Sequence, residues 1–136
     1  HTGLPAIADD SGLEVDALNG APGIYSARYA GDAGDEANNA KLLGALDGVE
    51  DRGAAFHCVA TFVMPGDPEP LQAEGVWRGS ILRAPRGEGG FGYDPLFLDV
   101  ESGLSSAELT PQQKSARSHR GEALRQLVAL IRQRYA

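Results

Sequence analysis

The stretch AAFHCVATFVM, residues 54–64, has the composition of a buried β-strand and is bounded by Gly53 and by Pro65-Gly66. The stretch LQAEGVWRGSIL, residues 71–82, alternates in part between apolar and polar residues, as a strand with one buried face does. Only the short connection PGDPEP separates the two stretches. Together they predict an antiparallel β-hairpin.

Shorter patterns predict further elements on both sides of this hairpin. An apolar run at 4–8 predicts a buried strand that ends where Asp9 and Asp10 begin, with an extension at 12–15 beyond a bend. The other predicted elements are a helical turn at 24–29, an amphipathic helix at 35–46, a loop rich in Gly and Pro at 84–95, a strand at 97–100, a helix from Pro111 behind the N-cap Thr110, and a helix at 118–135. At 136 residues, the chain fits a single domain, residues 1–136.

The composition limits the classes of function. A net charge of −7 argues against a protein that wraps a nucleic-acid backbone, because such binding is driven by Lys and Arg. No apolar run reaches the roughly 18 residues of a membrane span, so no membrane partner is predicted. The single cysteine, Cys58, fits a reducing compartment, so a cytoplasmic protein is expected. Its apolar neighbours predict a packed core thiol rather than a nucleophile.

Two carboxylates stand side by side in AIADDSGLEVD, residues 6–16. Like charges this close repel, so Asp9 and Asp10 either lie in solvent or are held by something positive. Two carboxylates at a strand end can bind Mg²⁺, and a carboxylate near the metal can orient or deprotonate a water. A turn or cap aspartate is the alternative. A triad of Ser11, His119 and an aspartate also stays open, although Ser11 lacks the GxSxG elbow.

A Gly-rich stretch, GEGGFGYDP at 87–95, is a second candidate for a ligand site. Its glycines allow the backbone to approach a ligand closely while Phe91 offers a flat ring for stacking. Asp94 could accept hydrogen bonds from ring N–H groups. The alternative is a tight turn in which Phe91 and Tyr93 anchor the loop to the core.

Positive charge gathers in KSARSHRG, residues 114–121, within an otherwise acidic chain. Lys114, Arg117, His119 and Arg120 fall where the last predicted helix begins, so backbone N–H groups and the helix dipole add to their charge. This combination suits phosphate or a carbonyl oxygen. The alternative is a solvated turn with Ser118 as a plain N-cap.

Four stretches together resemble a known family in order and spacing. They are ADDSGLEVDALNGAPGIYSARYAG at 8–31, FHCV at 56–59, GFGYDPLF at 90–97 and AELTPQQKSARSHRGEAL at 107–124. They are similar to the Ham1/RdgB family of non-canonical purine nucleoside triphosphate pyrophosphatases, the inosine triphosphatase family. The resemblance implies an α/β fold with a mixed twisted sheet and flanking helices, a homodimer, and Mg²⁺-dependent hydrolysis of ITP, dITP or XTP to the monophosphate and pyrophosphate.

The resemblance also implies roles for individual residues. Asp10 matches the proton acceptor and metal-associated carboxylate, and Ser11 matches the adjoining substrate contact. The family's base-binding segment corresponds to Phe91, Gly92, Tyr93 and Asp94. Its basic residues, which close over the nucleotide, correspond to Lys114, His119 and Arg120. A donor from Arg120 or His119 with Asp94 as acceptor would pair with the keto oxygen and N–H of hypoxanthine or xanthine. Adenine would leave those groups unpaired, which rejects it strongly, whereas guanine is harder to exclude.

Two family features are absent from the sequence. A Ser/Thr-Gly-Asn-x-x-Lys loop and a following helix with a metal-binding glutamate do not occur, and Asn38, Asn39 and Lys41 do not reproduce the loop. We therefore expect the chain to be the larger C-terminal part of the family's domain, with severely impaired turnover on its own. Two other functions stay open: a non-catalytic purine-nucleotide-binding module, and a metal-dependent hydrolase of a non-nucleotide ester.

Overall fold

The computed structural model describes residues 4–135, in which six strands form one sheet. The spatial order is β2-β1-β3-β4-β5-β6. The strands are β1 (Ala6–Val15), β2 (Pro22–Gly23), β3 (Gly53–Val63), β4 (Leu71–Ile81), β5 (Phe97–Asp99) and β6 (Leu104–Ser105). The α/β class, a sheet with flanking helices, is confirmed. All strand pairs in the described range are antiparallel, so the parallel pair that a mixed sheet requires does not occur among these residues.

Three α-helices flank the sheet within residues 4–135: α1 (Asp35–Ala45), α2 (Pro111–Arg117) and α3 (His119–Tyr135). Each lies where the sequence predicts it, to within one residue. The predicted cap of α2 is present, since Thr110 Oγ1 accepts from the Gln113 N–H at 3.1 Å and Gln113 Oε1 accepts from the Thr110 N–H at 2.8 Å. None of these helices is long and apolar enough to cross a membrane.

The predicted hairpin of β3 and β4 is confirmed, and one of its faces carries the core. Alternate residues of β3, including Phe56 and Cys58, point to this face and are buried. One end of the core packs Phe56, Trp77 and Phe97 with residues from α1, and the other packs Cys58 with Ala123 and Leu127 of α3. Cys58 has no exposed surface, as predicted for a core thiol.

The predicted end of the first strand at Asp9 is wrong. β1 continues through both aspartates without a bend and pairs with β3 at every residue from Ala6 to Val15. Its first half is exposed rather than buried. Successive strand residues point to opposite faces of a sheet, so the Asp9 and Asp10 side chains diverge instead of repelling each other. Strand geometry thereby allows two adjacent carboxylates in mid-strand.

A close approach at Gly75 of β4 fixes the height of α3 above the sheet. A Cβ atom at Gly75 would overlap the carbonyl oxygen of His119 and lie 2.8 Å from the backbone nitrogen of Ala123. Only glycine therefore lets α3 lie this low. Because α3 begins at His119, this contact also positions the basic residues at its start.

Candidate functional site

A cavity of about 520 Å³ lies between the core face of β1, the Gly-rich loop and the α2–α3 corner. Eight of the nine predicted site residues line it: Ser11, Phe91, Gly92, Tyr93, Asp94, Lys114, His119 and Arg120. The fold thus brings together segments that are about 80 residues apart in the chain. A volume of this size suits a small organic ligand.

Asp10, the ninth residue, does not line this cavity. It lies on the opposite face of β1, beside a smaller cavity of about 140 Å³ that also contains Glu14 and His57. Ser11 and Gly12 line both cavities. Along this part of β1 no strand pairs with the edge opposite β3 among residues 4–135, since β2 contacts only Leu13 and Glu14. A ligand can therefore extend from the large cavity around the open edge toward Asp10.

Asp94 is buried and contacts three groups in and around the Gly-rich loop. Its Oδ1 accepts from the Ser106 hydroxyl at 2.9 Å, and its Oδ2 accepts from the Phe91 N–H at 3.0 Å and forms an ion pair with Lys114 Nζ. Lys114 Nζ also lies 5.0 Å from the centre of the Phe91 ring. Both carboxylate oxygens are thus engaged by the protein, but among residues 4–135 Oδ1 accepts a single hydrogen bond and keeps a free lone pair for a further donor.

His119 stacks on Phe56, with 4.8 Å between ring centres and 15° between the ring planes. Its Nδ1 is buried and has no hydrogen-bond partner among residues 4–135. Burial lowers the pKa of His119 from 6.5 to about 4, and nearby Arg120, Lys114 and His57 act in the same direction, while Asp94 opposes them. The imidazole is therefore neutral at pH 7 and can donate one hydrogen bond and accept another.

The lowered pKa of His119 gives a pH dependence of stability. Below pH 6.5 the unfolded chain binds a proton at this position that the folded chain does not bind until about pH 4. The free energy of unfolding should therefore fall as the pH drops through this window. For a partly exposed group we expect a loss of about 1–2 kcal/mol between pH 7.5 and 4.5.

Urea unfolding at these two pH values, for the unchanged protein and for His119→Gln, measures this loss. The variant should lose less stability than the unchanged protein by the stated amount. Equal losses in the two proteins would mean that His119 titrates normally in the fold.

Arg120, which lines the large cavity, forms a bidentate ion pair with Asp9. Its Nε donates to Asp9 Oδ2 at 2.7 Å, and its Nη2 donates to Asp9 Oδ1 at 3.1 Å. The hydrogen bond with Asp9 raises the pKa of Arg120 above its usual range. Both side chains are partly exposed, so the pair orients Arg120 more than it stabilises the fold.

The sequence predicts that Asp9 lies in solvent or beside a positive group, and Arg120 is that group. It does not single out Ser26 or Asp35, which line the large cavity. Strand alternation would have placed Asp9 on the same face as Ser11, had the strand been recognised as continuous. The Ser26 hydroxyl accepts from the Leu13 N–H at 2.8 Å and donates to the Gly23 carbonyl at 2.6 Å, so it links β1 to β2 beside the cavity. No local pattern marks Ser26 or Asp35.

The residues present fit a Mg²⁺ ion only in part. Among residues 4–135 no group of three or more His, Cys, Asp or Glu side chains could hold a metal. Asp10 offers one carboxylate beside the smaller cavity. Protein-bound Mg²⁺ commonly takes one or two carboxylates and completes its shell with waters and substrate phosphates. Asp10 can therefore supply one carboxylate to such a site.

The chain is similar to known proteins over nearly its whole length. Residues 1–130 match the model of the Ham1 family. A protein of Thioalkalivibrio sulfidiphilus named dITP/XTP pyrophosphatase is 59% identical, over 98% of this chain and 70% of its own length. One of the same name from Shigella flexneri is 58% identical, over 96% of this chain and 68% of its own.

Solved structures show the same fold. A HAM1 protein from Coxiella burnetii superposes with a TM-score of 0.89 at 51% identity, covering 97% of this chain and 69% of that protein. The Ham1 protein of Staphylococcus aureus superposes with a TM-score of 0.92 at 46% identity, covering 98% of this chain and 69% of that protein.

Proposed function

Because this chain belongs to the Ham1 family, we propose that the protein hydrolyses ITP, dITP and XTP to the monophosphate and pyrophosphate, and so removes deaminated purines from the nucleotide pool. The observation that carries the proposal is the cavity of about 520 Å³ in which the Gly-rich loop meets Lys114, His119 and Arg120. The relatives named dITP/XTP pyrophosphatase support it.

The cavity offers the groups that a six-keto purine needs. Phe91 is largely exposed and presents a ring on which a base can stack. Arg120 and neutral His119 supply donors for the keto oxygen, and Asp94 is the acceptor for the neighbouring N–H. An adenine ring would leave these groups unpaired.

Asp10 acts as the general base in the proposed reaction. A water attacks the α-phosphorus, its proton passes to the Asp10 carboxylate, and the bond to the oxygen that bridges to the β-phosphorus breaks. Pyrophosphate leaves with that oxygen. Mg²⁺, when bound, neutralises charge on the phosphates. Ser11 contacts the substrate where it passes from the large cavity to the face that carries Asp10.

Pyrophosphate release from ITP, XTP, GTP and ATP tests the proposed function. We expect ITP and XTP to exceed ATP in kcat/KM by a factor of about 10² or more, because the donor and acceptor pattern rejects the amino group. Equal rates for all purines, or preferred cleavage of a simple phosphate ester, would contradict the proposal. IMP binding without hydrolysis of ITP, in excess Mg²⁺ and with a segment carrying the Ser/Thr-Gly-Asn-x-x-Lys loop and the metal-binding glutamate supplied, would favour the non-catalytic binding module instead.

A homodimer in the cytoplasm is also proposed. The sheet face that carries Asp10 leaves Ile24 and Val76 exposed, at 87% and 47%, and apolar side chains of this kind suit contact with a second copy. The free, buried Cys58 is compatible with a reducing compartment. Light scattering on the purified protein should give about twice the monomer mass of 14.3 kDa.

A further inference from the structure

Helix α1 holds the Gly-rich loop through two side chains that are one turn apart. The Gly92 N–H donates to Asp35 Oδ2 at 2.9 Å, and Asn39 Nδ2 donates to the Gly92 carbonyl oxygen at 3.0 Å. Residues four apart lie on the same side of a helix, so both groups face the loop. The peptide groups on either side of the Gly92 Cα are thus both bound by α1.

These two hydrogen bonds are the ones that Gly92 itself makes, and the preceding residue, Phe91, is held separately by the bond from its N–H to Asp94 Oδ2. Among residues 4–135 the N–H and carbonyl of Gly92 make no other hydrogen bond. A Cβ atom at Gly92 would meet no atom within 4 Å, so the space beside its Cα is open. Its neighbour Tyr93 is anchored to the core, where its hydroxyl donates to the Ser26 carbonyl at 2.6 Å. Phe91, on the other side, is 71% exposed at the cavity.

The side-chain oxygen of Asn39 indicates that the position of this residue is not set by stability alone. Its Oδ1 is buried and has no hydrogen-bond partner among the described residues. A buried acceptor without a partner has a free-energy cost. The amide nevertheless lies where its Nδ2 reaches Gly92.

We propose that Asp35 and Asn39 are positioning residues for recognition of the purine base. They hold Gly92 and thereby set the place of the Phe91 ring over the cavity, although neither belongs to the segments that the family resemblance assigns to substrate binding. This inference rests on the proposed function. Helix α1 then determines how tightly the base is bound, while the hydrolytic step at Asp10 is independent of it.

Steady-state hydrolysis of ITP and calorimetric binding of IMP test the proposal with Asp35→Ala and Asn39→Ala. We expect each variant to raise KM for ITP and to weaken IMP binding by about tenfold, with kcat within about twofold of the unchanged protein. Asp35→Asn keeps an oxygen that can accept from the Gly92 N–H and should restore most of the affinity. Amide exchange at Gly92 in the free protein should be accelerated in Asp35→Ala but not in Asp35→Asn.

Glu36→Ala is the matched control. Glu36 is also an exposed acidic residue in the first turn of α1, but it makes no hydrogen bond to the loop in the described structure. It should leave KM, IMP affinity and exchange at Gly92 unchanged. An equal loss in Glu36→Ala would assign the effect to the helix dipole and overturn the proposal.

Unchanged KM and IMP affinity in Asp35→Ala and Asn39→Ala, with an active parent protein, would also overturn it. Failure of the proposed function gives a different result. In that case the unchanged protein would not hydrolyse ITP, whether or not it binds IMP.

Discussion

Replacing Asp10 by asparagine is expected to lower the turnover of ITP by a factor of about 10² to 10⁴, which is the usual contribution of a general base. An amide cannot take up the proton of the attacking water, and it is a weaker ligand for Mg²⁺ than a carboxylate. Asp10 forms no ion pair in the described structure and lies away from the large cavity. IMP binding should therefore stay within about twofold. Pyrophosphate release and calorimetry measure the two effects separately.

Asp9→Asn provides the contrast for this experiment, since it makes the same chemical change one residue earlier on the opposite face of β1. It weakens the ion pair that orients Arg120. The expected result is a higher KM with most of kcat retained. If turnover is unchanged in Asp10→Asn, or falls equally in both variants, Asp10 is not the base.

Gly75→Ala is expected to lower the free energy of unfolding by about 3 kcal/mol, the upper end for overpacking a core. The atoms that an added Cβ would meet are all backbone atoms of α3, in His119 and Ala123, and they cannot rotate away. Helix α3 must therefore move off β4. Because His119 and Arg120 begin this helix, IMP affinity should also fall. Urea unfolding and calorimetry test the two parts.

Gly44→Ala is the control for this substitution. Gly44 lies in α1, and a Cβ atom there would meet no atom within 4 Å. Alanine favours a helix over glycine by up to about 1 kcal/mol, so this variant should be neutral or more stable. Similar stability of Gly75→Ala and the unchanged protein would show that α3 tolerates a larger separation from the sheet.

The strong local patterns of the sequence were enough to predict most of the fold. The hairpin of β3 and β4 follows from apolar alternation around a turn, and α2 from its Thr110 cap and Pro111. The two-residue strands β2 and β6 have no pattern of their own, because they exist only through pairing with their neighbours. The sequence predicts that the first strand ends before Asp9, because adjacent aspartates are unfavourable in an isolated strand. In the structure, pairing with β3 carries the strand through both residues.

The candidate site was predictable where its residues cluster in sequence. The loop at 91–94 and the basic residues at 114–120 are local groups, so composition alone drew attention to them. Asp9 reaches Arg120 across 111 residues, and Asp35 reaches Gly92 across 57, so no short window of sequence contains either contact. The contacts of Asp94 are also tertiary, because Ser106 and Lys114 approach it from other elements.

Asp9 and Asp10 point to opposite faces of β1, so the face that each carboxylate occupies depends on the register of β1 against β3. A slip of β1 by a single residue along β3 would exchange the faces of the two carboxylates. Asp9 would then move to the face of the smaller cavity, and Asp10 to the face of the large cavity. Leu13 and Val15, both fully buried, oppose such a slip because it would turn them toward solvent. Two buried side chains thus keep Asp9 and Asp10 on their respective faces of β1.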